Sequence, residues 1–192
     1  MRTEEFNRIL QSNGISVFSL EDASRVMGKP KHYTTVFLRR DRIVKRAANC
    51  VYYTPDASNY EIASSIVEPS YVSLISALRF YNMTEQIPNT VYVLSSKRHG
   101  GISIDETKVE FIKVKPSLMY GYKKVDGAMV AEPEKAIVDM LYLGRFKEYA
   151  EEAMESGAIS MEKLMGFAEL AGDKSLAKRV GRLINDAKGR MP

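Results

Sequence analysis

Seven basic side chains crowd into positions 29–46: Lys29, Lys31, Arg39, Arg40, Arg42, Lys45 and Arg46. Asp41 is the one acid among them, so this segment carries about +6 while the whole chain carries +4. The rest of the chain must then sum to about −2, and a positive field this concentrated is what polyanion binding needs. Lysine and arginine can reach guanine edges, and threonine offers a hydroxyl and a methyl group to thymine. A helix over Pro30 to Arg40 must bury one stripe and present another. Tyr33, Val36 and Phe37 fit the buried stripe, leaving Lys31, His32, Thr34, Thr35 and Arg39 for a groove. Lys29 in the preceding turn and Arg40 at the helix end extend that face. Arg42, Lys45 and Arg46 fall at the start of a hairpin, where they would hold phosphates and fix orientation.

The elements that must position these residues can be read on either side. Phe6, Ile9 and Leu10 give a helical apolar stripe over Thr3 to Ser12, stopped at Asn13-Gly14. Ile15-Ser16-Val17 is short and extended. Ser19 with Asp22 reads as a capping arrangement opening a helix to Met27. Gly28-Lys29-Pro30 is a tight turn into the basic helix. Ile43–Arg46 and Cys50–Tyr53 read as paired strands across Ala47-Ala48-Asn49, with Asn49 suited to positive φ. Helix, strand, helix, turn, helix and hairpin in this order describe a winged helix-turn-helix over residues 1–56.

From Asn59 onward the pattern changes to a mixed α/β domain, residues 57–192, which makes the predicted fold class α+β. Tyr60 to Val67 and Ser70 to Tyr81 read as helices. Thr90–Leu94, Val109–Val114 and Tyr120–Val125 read as strands. Pro133 opens a helix with Ala136, Ile137, Met140 and Leu141 on one stripe, and the tail after Phe146 is helical.

Other chemistries find less support. One cysteine, Cys50, and two histidines, His32 and His99, argue against a structural zinc site on ligand count. Gly100-Gly101 lacks phosphate-loop spacing. A nuclease would need clustered carboxylates and a lysine. Asp105, Glu110 and Lys113 are candidates, but residues three apart on a strand point to opposite faces. Glu134 suits a helix N-terminus, which favours acids, and with Lys135 can bind neighbouring loops, a better reading than a catalytic pair. The expectation is therefore a non-enzyme without cofactor or metal. With no secretory signal and no long apolar run, a soluble cytoplasmic protein is expected.

Three stretches also carry a resemblance to a known family. They are Val51-Tyr52-Tyr53-Thr54-Pro55, then Ser70-Tyr71-Val72-Ser73-Leu74-Ile75-Ser76-Ala77-Leu78-Arg79-Phe80-Tyr81, followed by Thr84-Glu85-Gln86-Ile87-Pro88 and Val91-Tyr92-Val93, and finally Val130-Ala131-Glu132-Pro133-Glu134-Lys135-Ala136-Ile137-Val138-Asp139. Together they resemble the AbiEi-like antitoxins, predicted transcriptional regulators of viral defence in type IV toxin–antitoxin systems. The resemblance implies autorepression of the protein's own promoter. It also implies a functional link to a nucleotidyltransferase-like toxin that is neutralised without a tight complex. Family wings usually carry glycine where this chain has Asn49 and Cys50.

The combined expectation is a sequence-specific repressor whose partner is double-stranded DNA, with no membrane association and with homo-oligomer formation left open. The competing readings are a nuclease carrying a DNA-binding module, an interaction module that does not bind DNA, and an RNA binder.

Overall fold

The computed structural model describes residues 2–41, 43–48, 50–86 and 89–190. The expected turn residue Asn49, the phosphate-binding candidate Arg42 and the Ile87-Pro88 pair lie outside them. Helix α1 (Thr3–Ser12) buries Phe6 and Leu10 and ends as Ile15 N–H closes onto the Leu10 carbonyl. Strand β1 (Val17–Ser19) lies two residues beyond the stretch expected to be extended. It is held there from both ends, because Thr54 N–H donates to Ser16 O and Leu20 N–H to Cys50 O. Ser19 and Asp22 form the expected capping box at the start of α2 (Leu20–Met27), satisfying orphan backbone donors of the first turn. Gly28 takes the left-handed conformation at φ 61, a position other residues resist, and turns the chain into α3 (Lys31–Arg40).

Strands β2 (Lys45–Ala48) and β3 (Val51–Tyr53) complete an antiparallel sheet in the order β1-β3-β2. A small core fills the space between helices and sheet: Phe6, Leu10, Phe18, Ala23, Met27, Leu38, Val44 and Tyr52. The Phe6 ring meets Phe18 and Phe37 edge-on at 5.9 and 5.5 Å, a favoured aromatic arrangement. Asp41 is buried at the end of α3 and accepts from the backbone of Ile43 and Val44. That turn aims the chain from α3 into the hairpin.

The remaining elements build around a second sheet. In chain order they are α4 (Asn59–Ser65), β4 (Ser70–Val72), α5 (Leu74–Phe80), β5 (Thr90–Ser95), β6 (Ile102–Ile104), β7 (Thr107–Lys113), β8 (Tyr122–Val125), β9 (Ala128–Ala131), α6 (Pro133–Leu143), α7 (Lys147–Glu155), α8 (Met161–Leu170) and α9 (Lys174–Arg190). The sheet order is β6-β7-β5-β4-β9-β8, with β5/β7 and β4/β9 parallel and the other pairs antiparallel. The fold is thus α+β.

One expected helix needs correction. Ser70 does not cap it: Ser70–Val72 is a strand hydrogen-bonded on both sides, and the helix starts only at Leu74, after Ser73. Pairing with two neighbours, with all three residues buried, outweighs the helical pattern that continues downstream.

The two cores meet on β3. Tyr52 belongs to the small core, while Tyr53 belongs to the larger one, with Val17 and Ala47 packed against it. Ser16 Oγ also donates to Glu61 of α4 at 2.7 Å, and Asn59 Nδ2 donates to Thr107 Oγ1 at 2.7 Å.

Candidate nucleic-acid interface

Helix α3 displays a different face from the one its apolar pattern predicts. Thr34 is fully buried and Leu38 nearly so, while Tyr33 and Val36 are 46% and 48% exposed. The expectation that Thr34 faces outward and that Tyr33 and Val36 form the buried stripe is therefore corrected. The cause lies across the interface: α3 must offer Phe37 to the Phe6 ring, and Thr34 and Leu38, one turn apart, fill the space beside it. The Thr34 hydroxyl donates to Pro30 O at 3.2 Å, which satisfies it in the interior.

The outward face then carries His32, Val36, Arg39 and Arg40, at the i, i+4, i+7 and i+8 spacing that shares a helix side, with Tyr33 beside them. Of the remaining candidates, Lys29 is exposed in the turn. Thr35 is half-buried and its hydroxyl donates to Lys31 O at 2.8 Å. Lys31 is exposed but paired with Glu21 of α2 at 3.1 Å. The structure thus gathers His32, Arg39 and Arg40 on one face, sets Thr35 and Lys31 toward its side, and withdraws Thr34. Nearly half-exposed Ile43 follows α3. The exposed apolar residues carry no charge signal, so nothing in the sequence pattern places them outside.

On the hairpin, Arg46 is exposed and Lys45 bonds to Asp105, in the β6–β7 turn, at 2.9 Å. The Asp105 carboxylate stabilises the ammonium form and holds the Lys45 pKa above its ordinary value. A phosphate and Asp105 would compete for the same ammonium. Exposed pairs of this kind are weak, so Asp105→Asn is expected to raise affinity for any duplex at low salt by up to about fivefold. Fluorescence anisotropy on a specific and a shuffled duplex checks this. A gain confined to the specific duplex would contradict the competition.

A second polar group is wholly internal. Lys135 and Asp139, four residues apart on α6, are both completely buried and paired. Lys135 Nζ also donates to Tyr71 Oη at 3.0 Å and lies 4.8 Å from the Tyr120 ring centre. Asp139 accepts from Ser73 Oγ at 2.7 Å and Tyr71 Oη at 3.2 Å. Burial pushes the Asp139 carboxyl up and the Lys135 ammonium down from their ordinary pKa values, with the pairing opposing both shifts. Burial, reinforced by Asp139, pushes Tyr120 up to about 12 and Tyr71 well above its ordinary value.

Neither charged atom of the pair is exposed, so the arrangement pins α6 to β4 and offers no open approach to a substrate. Glu134 points elsewhere: it accepts the Ser160 N–H at 3.1 Å.

A comparison with protein-family models finds no match, and a comparison with curated proteins finds none. Among solved structures, the chain is similar to the crystal structure of the RV2827C protein from Mycobacterium tuberculosis. The two are 13% identical, with a TM-score of 0.58 over 93% of this chain and 74% of that one. The likeness is one of fold.

The remaining candidates are scattered by the same fold. Asp105 is engaged by Lys45, and Glu110 is bound by Arg145 at 2.7 Å. Among the described residues no group of three or more His, Cys, Asp or Glu side chains could hold a metal ion. His99 packs against the Phe111 ring at 4.7 Å, and Cys50 is exposed. Among the described residues no helix is long and apolar enough to cross a membrane.

Proposed function

We propose that the chain is a sequence-specific DNA-binding regulator in which residues 1–56 form a winged helix and α3 enters the major groove. The observation that carries this reading is the outward face of α3, where half-exposed Tyr33 and Val36 lie beside His32, Arg39 and Arg40. A merely solvated helix gains nothing by exposing Tyr and Val. A groove-reading helix uses both kinds of residue, guanidinium for guanine edges and apolar groups for thymine methyls. The α1–β1–α2–α3–β2–β3 order, with Gly28 at the turn before α3, supports this. Arg46 and Lys45 on β2 supply the backbone contacts of the wing.

Repression follows from occupying a promoter. The resemblance of Ser70–Tyr81 and Val130–Asp139 to AbiEi-like antitoxins extends the proposal to autorepression of a toxin–antitoxin operon.

Anisotropy of the full chain against duplex from its own upstream region and a shuffled control, over a salt series, tests the reading. We expect a steep salt dependence and preference for the native duplex by at least about a thousandfold. Equal affinity for both duplexes defeats the specific regulator, and no binding at low salt defeats the DNA interface.

A further inference from the structure

Five cations outside α3 and the hairpin gather at one end of the larger sheet. Ser95, the last residue of β5, is in register with Lys113 of β7 and with Ser70 of β4. Lys97 and Arg98 continue beyond Ser95, and Lys115 continues beyond Lys113. On the far side of the sheet, Lys124 of β8 pairs with Met129, one residue before Val130, which is in register with Val72 of β4. Lys97 and Lys124 line one concavity of about 600 Å³, floored by Ser70, Tyr122 and Met129.

All five side chains belong to exposed residues, and none is paired with a carboxylate among the described residues. The acids nearby are Glu68, on the concavity, Asp126, in the β8–β9 turn, and Glu61, whose carboxylate lies against Gly127 of the concavity. Five cations without a carboxylate partner against three acids make this a net positive field rather than a set of ion pairs.

Its width selects the occupant. β7 and β8 are four interstrand steps apart in the sheet order, roughly 19 Å at the usual strand spacing. That is broader than a single phosphate group. It matches a nucleic-acid backbone, which presents a charge about every 3.4 Å of axis along each strand. The surface is not a continuation of the wing. Lys45 reaches Asp105 before the first residue of β7, whereas Lys113 is its last, and the strand between them is about 20 Å long.

We propose that this end of the sheet is a second, sequence-independent nucleic-acid surface that grips the sugar–phosphate backbone of duplex DNA apart from the segment met by α3. The inference rests on the sheet-end lysines and not on the reading of α3. Its ligand is recognised by charge alone, since ammonium groups on loops and strand ends carry no base code.

The test uses the full chain and two variant sets, Lys97→Ala/Lys113→Ala/Lys124→Ala and Arg39→Ala/Arg40→Ala, singly and combined. Each is titrated with a long shuffled duplex and with the preferred duplex across a salt series. Thermal unfolding of each variant establishes that these exposed substitutions leave the fold intact.

The lysine set is expected to weaken shuffled-duplex binding at least tenfold at low salt. It should lower the salt slope by about 0.9 for each phosphate no longer neutralised, while the ratio between preferred and shuffled duplex stays unchanged. An unchanged slope in the lysine set overturns the second surface whatever α3 does. If the arginine set keeps full sequence preference, the reading of α3 falls and the second surface stands. Inorganic tripolyphosphate is titrated in parallel. If it binds the wild type as tightly as duplex does and loses affinity in the lysine set, the occupant is a small phosphate compound and the backbone proposal is overturned.

Discussion

Replacing Asp139 with alanine will cost about 3–5 kcal/mol of folding free energy, measured as a fall in the urea midpoint at constant slope. The loss has a definite source. Lys135 would remain fully buried with its ammonium facing Tyr71 and no carboxylate, and an uncompensated interior charge is far costlier than the pair it came from. Ser73 would lose its acceptor as well, whereas Tyr71 could still donate to the Leu118 carbonyl at 3.3 Å. A domain is typically stable by about 5–15 kcal/mol, so the variant should sit close to unfolding at 25 °C. Lys135→Met/Asp139→Leu discriminates between a broken charge pair and a missing volume. Removing both charges should leave the protein closer to wild type than Asp139→Ala does, because well-packed apolar replacements of a buried pair are often neutral. If Asp139→Ala costs less than about 1 kcal/mol, the pair does not hold α6 against β4.

Arg39→Ala should weaken binding to the preferred duplex by about 1–3 kcal/mol, roughly 5- to 150-fold, with a much smaller effect on shuffled duplex. The difference between the two duplexes is the informative quantity, since removing a phosphate contact lowers both alike and removing a base contact lowers one. Val36→Asp gives an independent check. Val36 is half exposed, so a carboxylate there leaves the core undisturbed and sets a negative charge against the polyanion. Binding to the preferred duplex should fall at least a hundredfold, with the thermal midpoint unchanged. Wild-type affinity in both variants would remove α3 from the interface.

Much of the N-terminal architecture is legible because local signals there agree with one another. The Phe6–Leu10 stripe, the Ser19–Asp22 box and Gly28 each act within a few residues, and the helix limits follow from them. The orientation of α3 is not legible. Phe37 and Leu38 are adjacent, so two stripes a hundred degrees apart explain the apolar residues equally well. The choice is made by Phe6, thirty-one positions earlier in the chain. Strands β4, β6 and β9 escape for a related reason. They are three or four residues long, too short to display an alternation, and what makes them strands is their pairing and burial in the sheet.

Lys135 shows the same limit. Its position in the first turn of a helix suggests a solvated surface charge, and only the fold brings Tyr71 and Ser73 from β4 and its following turn to meet the pair. The four-residue spacing of Lys135 and Asp139 is visible as a motif. That both point inward is not.

The division of β3 between two cores bears on how such a protein can be rearranged. A strand whose neighbouring residues, Tyr52 and Tyr53, serve opposite interiors is a shared wall and not a hinge. Cutting the chain after it would strip Tyr53, Val17 and Ala47 of their cover and leave a sticky apolar patch on the released fragment. Recombination that grafts a new N-terminal unit onto an old body would therefore have to carry matching residues on both sides of that wall. If α3 reads DNA as proposed, new target preferences are reached more readily by exchanging a few of its outward side chains.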